Sequence, residues 1–141
     1  MGVYDRATIK MSVHTACVWE VTSRKAGNVH RYTDFDDTTY LDFVLSAGVI
    51  MGVLGNAARI RRVGETVEGA VSQMRECVGT NTNLGIILLL APLASTWETT
   101  DTVGGRAELA RLLAKLSVED AKQVYKAIRL AKPGGLGDAP E

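Results

Sequence analysis

Thr39-Tyr40-Leu41-Asp42-Phe43-Val44-Leu45-Ser46-Ala47-Gly48-Val49-Ile50-Met51-Gly52-Val53-Leu54-Gly55-Asn56-Ala57-Ala58 is the stretch that decides the fold. Phe43, Val44, Ile50, Met51, Val53 and Leu54 leave it apolar almost all round, the pattern of a helix enclosed at the centre of a bundle. Ser46, Ala47, Gly48 and Gly52 are small enough to let a neighbouring backbone come close. Asp36, Asp37 or Thr38 is expected to cap its start, where a carboxylate also meets the positive end of the helix dipole.

Ahead of this helix lies Lys25-Ala26-Gly27-Asn28-Val29-His30-Arg31-Tyr32-Thr33-Asp34-Phe35-Asp36-Asp37, which mixes bases and carboxylates in a connection between two helices. Connections of this kind need only a few residues, and longer ordered ones often carry function. Lys and Arg hold phosphate oxygens, and clustered Asp holds a hard cation such as Mg²⁺. Together they suggest a nucleotide and its metal. A solvated, charge-balanced turn is the alternative that the same residues allow. Further back, Ile9, Val13, Ala16, Cys17 and Val21 share one face of a helix from Arg6 to Ser23, with Glu20 beside them. If Glu20 faces inward it can join the loop aspartates around a cation.

Beyond the central stretch, a basic segment, Arg59 to Arg62, leads to a helix from Glu65 to Val78, with Val67, Val71, Met74 and Val78 on one stripe and Gly79 as its stop. Thr80-Asn81-Thr82-Asn83 then precedes an apolar helix from Ile86 to Ala94, which contains Pro92. Unpaired helix-start amides flanked by Asn and Thr make an anion pocket, although the same residues also serve as an ordinary N-cap. Two more helices, Arg106–Leu116 and Val118–Ala131, complete the reading, the last opened by a capping box of Ser117 and Asp120. The expected fold is therefore an all-α bundle of about six helices in one domain over residues 1–141. Its functional loops lie between helices one and two and between helices three and four.

The bulk numbers narrow the function. Lys plus Arg and Asp plus Glu are both 16, so a general nucleic-acid-binding surface is not expected. The apolar run Leu84 to Ala94 is too short to span a bilayer, and the first residues lack a signal core. Cys17 and Cys77 fall on helices among apolar neighbours, as buried thiols in a reducing cytoplasm do. Neither has a nearby partner for zinc. His14 reads as structural, whereas His30, inside the charged loop, is a candidate for phosphate contact or proton transfer. Lys132-Pro133-Gly134-Gly135-Leu136-Gly137 lacks the spacing of a phosphate-binding P-loop.

Five segments occur together and in order: Ala16-Cys17-Val18-Trp19-Glu20-Val21, Lys25 to Arg31, Asp34-Phe35-Asp36-Asp37, Thr80-Asn81-Thr82-Asn83-Leu84-Gly85, and Lys132 to Gly137. In this the chain resembles the triphosphoribosyl-dephospho-CoA synthase family, in its divergent archaeal and bacterial branch. The resemblance covers essentially the whole chain. It implies an all-helical transferase that moves the triphosphoribosyl group of ATP onto 3′-dephospho-CoA or a related acceptor and releases adenine.

Carried over by position, the resemblance implies that Lys25, Asn28, His30 and Arg31 contact phosphate or ribose. Asn81 and Asn83 complete the nucleotide pocket. Glu20, Asp34 and Asp37 form the catalytic set, steadying an oxocarbenium-like centre, and Asp34, Asp36 and Asp37 hold Mg²⁺. Three positions depart from the family pattern: Ala26 stands where proline is usual, and Asn83-Leu84 stand where the characterised branch has His-Lys. Members are longer, so the chain reads as an N-terminal half whose open apolar face would favour a homodimer. The departures also leave a second reading, a non-catalytic helical module that binds a nucleotide or a protein partner.

Overall fold

The computed structural model describes residues 6–97 and 104–134, and over these the regular elements are all helices. The helices are α1 (Arg6–Thr22), α2 (Tyr40–Leu54), α3 (Ala57–Ile60), α4 (Val63–Val78), α5 (Leu84–Ser95), α6 (Gly104–Ala114) and α7 (Val118–Ala131). The expected all-α bundle is present, and a short extra helix appears because the central stretch breaks earlier than its apolar pattern indicates. At the break, the Asn56 side-chain Nδ2 donates to the Gly52 carbonyl at 3.1 Å, taking the acceptor its own backbone N–H would use in a continuous helix. That N–H donates to Val53 O instead, at 3.0 Å. The helix therefore tightens and stops, and α3 restarts it for a single turn.

Helices α2 and α4 form the centre. Ile50 and Leu54 of α2 and Val67, Val71 and Met74 of α4 are fully buried, joined by Ile87 of α5 and by Ala127 and Ala131 of α7. Helix α1 lays Ile9, Val13, Cys17 and Val21 against α2, a stripe of every fourth residue. Ala16, expected on that face, is exposed. Helix α7 packs chiefly on α4, and Lys126 Nζ meets Glu68 Oε1 across their rim at 2.5 Å.

The caps are informative. Thr39, not Asp36, Asp37 or Thr38, caps α2, in a capping box with Asp42: Thr39 N donates to Asp42 Oδ2 at 2.8 Å. The box expected at Ser117 and Asp120 is present on α7, and Gly79 ends α4 in the left-handed region at φ 71°. Both cysteines are free thiols. Cys17 is buried, but Cys77, expected to be buried, is exposed. Burial pushes the Cys17 thiol up to about 12, with the negative charge of Glu20 adding to the effect.

Among the described residues, one helical stretch, Tyr40–Ile60, is long and apolar enough to cross a membrane by length and composition. Part of it is buried inside the bundle: Ala47, Ile50, Leu54, Ala57 and Ala58 are all in the core. Residues 135–137 of the glycine-rich tail lie outside the described residues.

Candidate functional site

The charged loop between α1 and α2 is a series of three tight turns. Asn28 N donates to Lys25 O at 3.3 Å, closing a turn whose third residue, Gly27, has φ 75°. A positive φ at that position is what a type II turn demands, and glycine adopts it without strain. Two four-residue turns follow, His30–Thr33 and Phe35–Thr38, each closed by a reciprocal pair of backbone hydrogen bonds. The single residues between turns serve as anchors. Val29 is buried, and Asp34 Oδ1 accepts the Tyr40 N–H at 2.6 Å, fastening the loop to the start of α2.

This arrangement decides which loop residues converge. Arg31 with Tyr32, and Asp36 with Asp37, occupy the turn tips and are exposed. Tyr32 is flanked by two guanidinium groups, Arg24 at 4.7 Å and Arg31 at 5.9 Å from its ring centre, and its ring stands edge-on to His30. His30 and Arg31 are therefore neighbours in a basic, aromatic surface cluster.

The aspartates do not gather. Asp34 accepts the Tyr40 N–H, Asp37 Oδ1 accepts the Thr38 hydroxyl at 3.2 Å, and Asp36 is exposed at its turn tip. Among the described residues, no three His, Cys, Asp or Glu side chains group so as to hold a metal ion. The expected metal set of Asp34, Asp36 and Asp37 is thus not assembled by the protein alone. Each turn fixes its own aspartate, and nothing turns the three toward one point.

A second set does converge. Glu20, Asn28, Val29, Phe35, Thr38 and Phe43 meet Asn81, Thr82, Asn83, Gly85 and Ile86 around a cleft of about 250 Å³. Of the residues singled out from sequence, Glu20, Asn28, Asn81 and Asn83 line it. Lys25 joins at one remove, through an ion pair between its Nζ and Glu20 Oε1, both side chains being about one-third exposed. A pair at that exposure is worth little in stability and is free to exchange partners.

Asn83 is where the sequence reading needs its main revision. It precedes α5, yet its side chain makes no capping bond. It is buried instead, with Nδ2 donating to Phe43 O at 3.4 Å and to Ser46 Oγ. Ser46 Oγ also accepts from Thr82 Oγ1 at 2.7 Å and donates to Phe43 O at 3.1 Å. A hydroxyl can accept twice and donate once, so Ser46 uses its full capacity. This makes Ser46 the tie between α2 and the 80–83 segment. The one signal in the sequence is a hydroxyl in an otherwise apolar helix.

With no side chain capping α5, its first backbone amides remain a positively polarised end at the cleft. The site thus joins a carboxylate held by a lysine, a helix start and polar amide walls.

One family model, CitG: ATP:dephospho-CoA triphosphoribosyl transferase, matches residues 6–141. No curated protein and no solved structure matches the chain.

Proposed function

The chain belongs to the CitG family of ATP:dephospho-CoA triphosphoribosyl transferases, and from that membership we propose that it moves the triphosphoribosyl group of ATP onto a ribose hydroxyl of 3′-dephospho-CoA or a related acceptor. In that reaction the C1′–N9 bond of ATP breaks and a bond from C1′ to the acceptor oxygen forms. Adenine leaves with a proton, and the acceptor hydroxyl gives one up. The reading carries the chain to the cytoplasm, where both substrates occur.

The observation that best supports this reading is the convergence of Glu20, Asn28, Asn81 and Asn83, far apart in sequence, on one cleft. Positive charge builds on the ribose as adenine departs, and a carboxylate placed beforehand lowers that barrier. Glu20 is the carboxylate on the cleft wall, and Lys25 occupies it in the free protein. A triphosphate competes for the lysine ammonium and frees Glu20 to face the sugar. Lys25 then takes the role of phosphate ligand, with Asn28, His30 and Arg31 on the following turns as its neighbours. Mg²⁺ enters as part of the substrate MgATP, keeping most of its ligands as water and phosphate oxygen. Asp34 is assigned a structural role at the head of α2, and Asp36 and Asp37 remain the exposed carboxylates nearest the phosphate-binding turns.

The test is adenine release from MgATP with and without 3′-dephospho-CoA, followed by chromatography. Acceptor-dependent release that falls at least a hundredfold in Glu20→Gln supports the transferase. ATP binding with no adenine under any condition favours the second reading, a nucleotide-binding module, to which Asn83-Leu84 in place of His-Lys also points.

A further inference from the structure

Two residues of the cleft lining, Asn81 and Asn83, each carry a side-chain oxygen, Oδ1, that is buried with no hydrogen-bond partner among the described residues. Asn83 is only 2% exposed, and its orientation is fixed by chemistry. Its amide end faces the Phe43 carbonyl, which can only accept, so the nitrogen must lie there and the oxygen must be the unpaired end. Buried oxygens of this kind call for a donor.

Three classes of ligand could supply one, and the surroundings separate them. An anion is drawn by the α5 amides but repelled by two carbonyl oxygens. A cation suits the oxygens, yet it meets the positive end of α5. A neutral hydroxyl conflicts with neither. The cleft, at about 250 Å³, also lies below the ~300–1,000 Å³ of sites that enclose a whole drug-sized ligand. It suits one part of a nucleotide.

Resting on the transferase reading, we infer that this cleft takes the ribose of ATP, whose two hydroxyls donate to Asn81 Oδ1 and Asn83 Oδ1 while the phosphates stay outside on the charged turns. Both oxygens are shielded in the free protein, so the sugar reaches them by parting a lining that includes the half-exposed Phe35 ring. The placement sets C1′ against Glu20, a wall of the same cleft.

The experiment is a cycle of ligand and protein changes read by calorimetry. The unmodified protein is titrated with MgATP, 2′-deoxy-ATP, 3′-deoxy-ATP and inorganic tripolyphosphate, and Asn81→Ala and Asn83→Ala with the same four. Each missing hydroxyl is expected to weaken binding by roughly tenfold, as one such hydrogen bond does. Asn81→Ala weakens ATP similarly, adds nothing for the deoxy analogue lacking its partner hydroxyl, and leaves tripolyphosphate unchanged. Deoxy analogues that bind the unmodified protein as well as ATP overturn the inference and leave the transferase reading standing, as do fully additive losses. Failure of the unmodified protein to bind ATP or tripolyphosphate overturns both. The deoxy comparison needs no substitution, so a variant that fails to fold does not remove the test.

Discussion

Gly64 donates its backbone N–H to Asp120 Oδ1 at 3.0 Å, and a Cβ on Gly64 would lie 2.6 Å from the Asp120 Cα. Helices α4 and α7 thus touch backbone to backbone, at the point where α7 begins. No side-chain rotation relieves that contact, because the Asp120 carbonyl oxygen is also within 2.7 Å.

Gly64→Ala is therefore expected to destabilise the fold by about 1–3 kcal/mol through overpacking, despite the better helix propensity of alanine. Urea unfolding followed by circular dichroism checks it. An unchanged midpoint would mean that α7 is not held where the structure has it.

Asp120 gives the fold a dependence on pH. Hydrogen bonds from the Ser117 hydroxyl, the Ser117 N–H and the Gly64 N–H hold its carboxyl below the usual carboxylate range. A lowered folded pKa means that the unfolded chain binds the proton more readily. The stabilisation is fully present above the ordinary carboxylate pKa of about 3.9 and fades as pH falls through the folded value. Asp120→Asn should cost stability at pH 7 and progressively less toward pH 3. Melting temperatures of both proteins across that range read the difference.

Ala26 occupies the second position of the Lys25–Asn28 turn, with Gly27 supplying the positive φ after it. Proline fits that position of a type II turn. Ala26→Pro is expected to stabilise the protein by about 0.4–1 kcal/mol by narrowing the unfolded ensemble. A loss of stability in thermal melts would show that the turn has another backbone form.

Ser46→Ala removes the shared acceptor of Thr82 Oγ1 and Asn83 Nδ2 in a fully buried site. Leaving buried donors short of a partner costs about 1–3 kcal/mol. Nucleotide affinity should fall as well, because Asn83 loses one of its two ties. Chemical denaturation together with ATP titration separates the two effects.

The thiols differ sharply. With its thiol pushed up to about 12 by burial, Cys17 carries almost no thiolate near neutrality, whereas Cys77 is exposed. A maleimide at pH 7 should modify one site in the folded protein and two in urea, as mass spectrometry will count.

The helices were legible because burial imposes a period. The buried stripe of Ile9, Val13, Cys17 and Val21 repeats every fourth residue, and Ala47, Ile50 and Leu54 bury one face of the apolar run. Breaks and caps were less legible, since Asn56 ends α2 through one side-chain bond that an apolar pattern does not register. The site was legible in part. Glu20, Asn28, Asn81 and Asn83 line one cleft, but the carboxylates Asp34, Asp36 and Asp37 do not group together. Their directions are fixed by three successive turns, built from local backbone bonds with no periodic signal. The direction of Asn83 depends on Ser46, 37 residues earlier in the chain, and no local reading of Thr80–Asn83 contains that information.

The helix that centres the bundle has a second identity while the protein is being made. Tyr40–Ile60, with a mean hydropathy of 1.6, has the length and composition that a membrane-crossing segment requires. Its docking against α1, α4 and α5 covers part of that surface. Helix α1 leaves the ribosome first, so an acceptor surface is already present when the greasy segment emerges. Any change that slows this docking exposes a sequence that lipid and chaperones compete for, and yield in cells then depends on folding speed more than on the strength of the final fold.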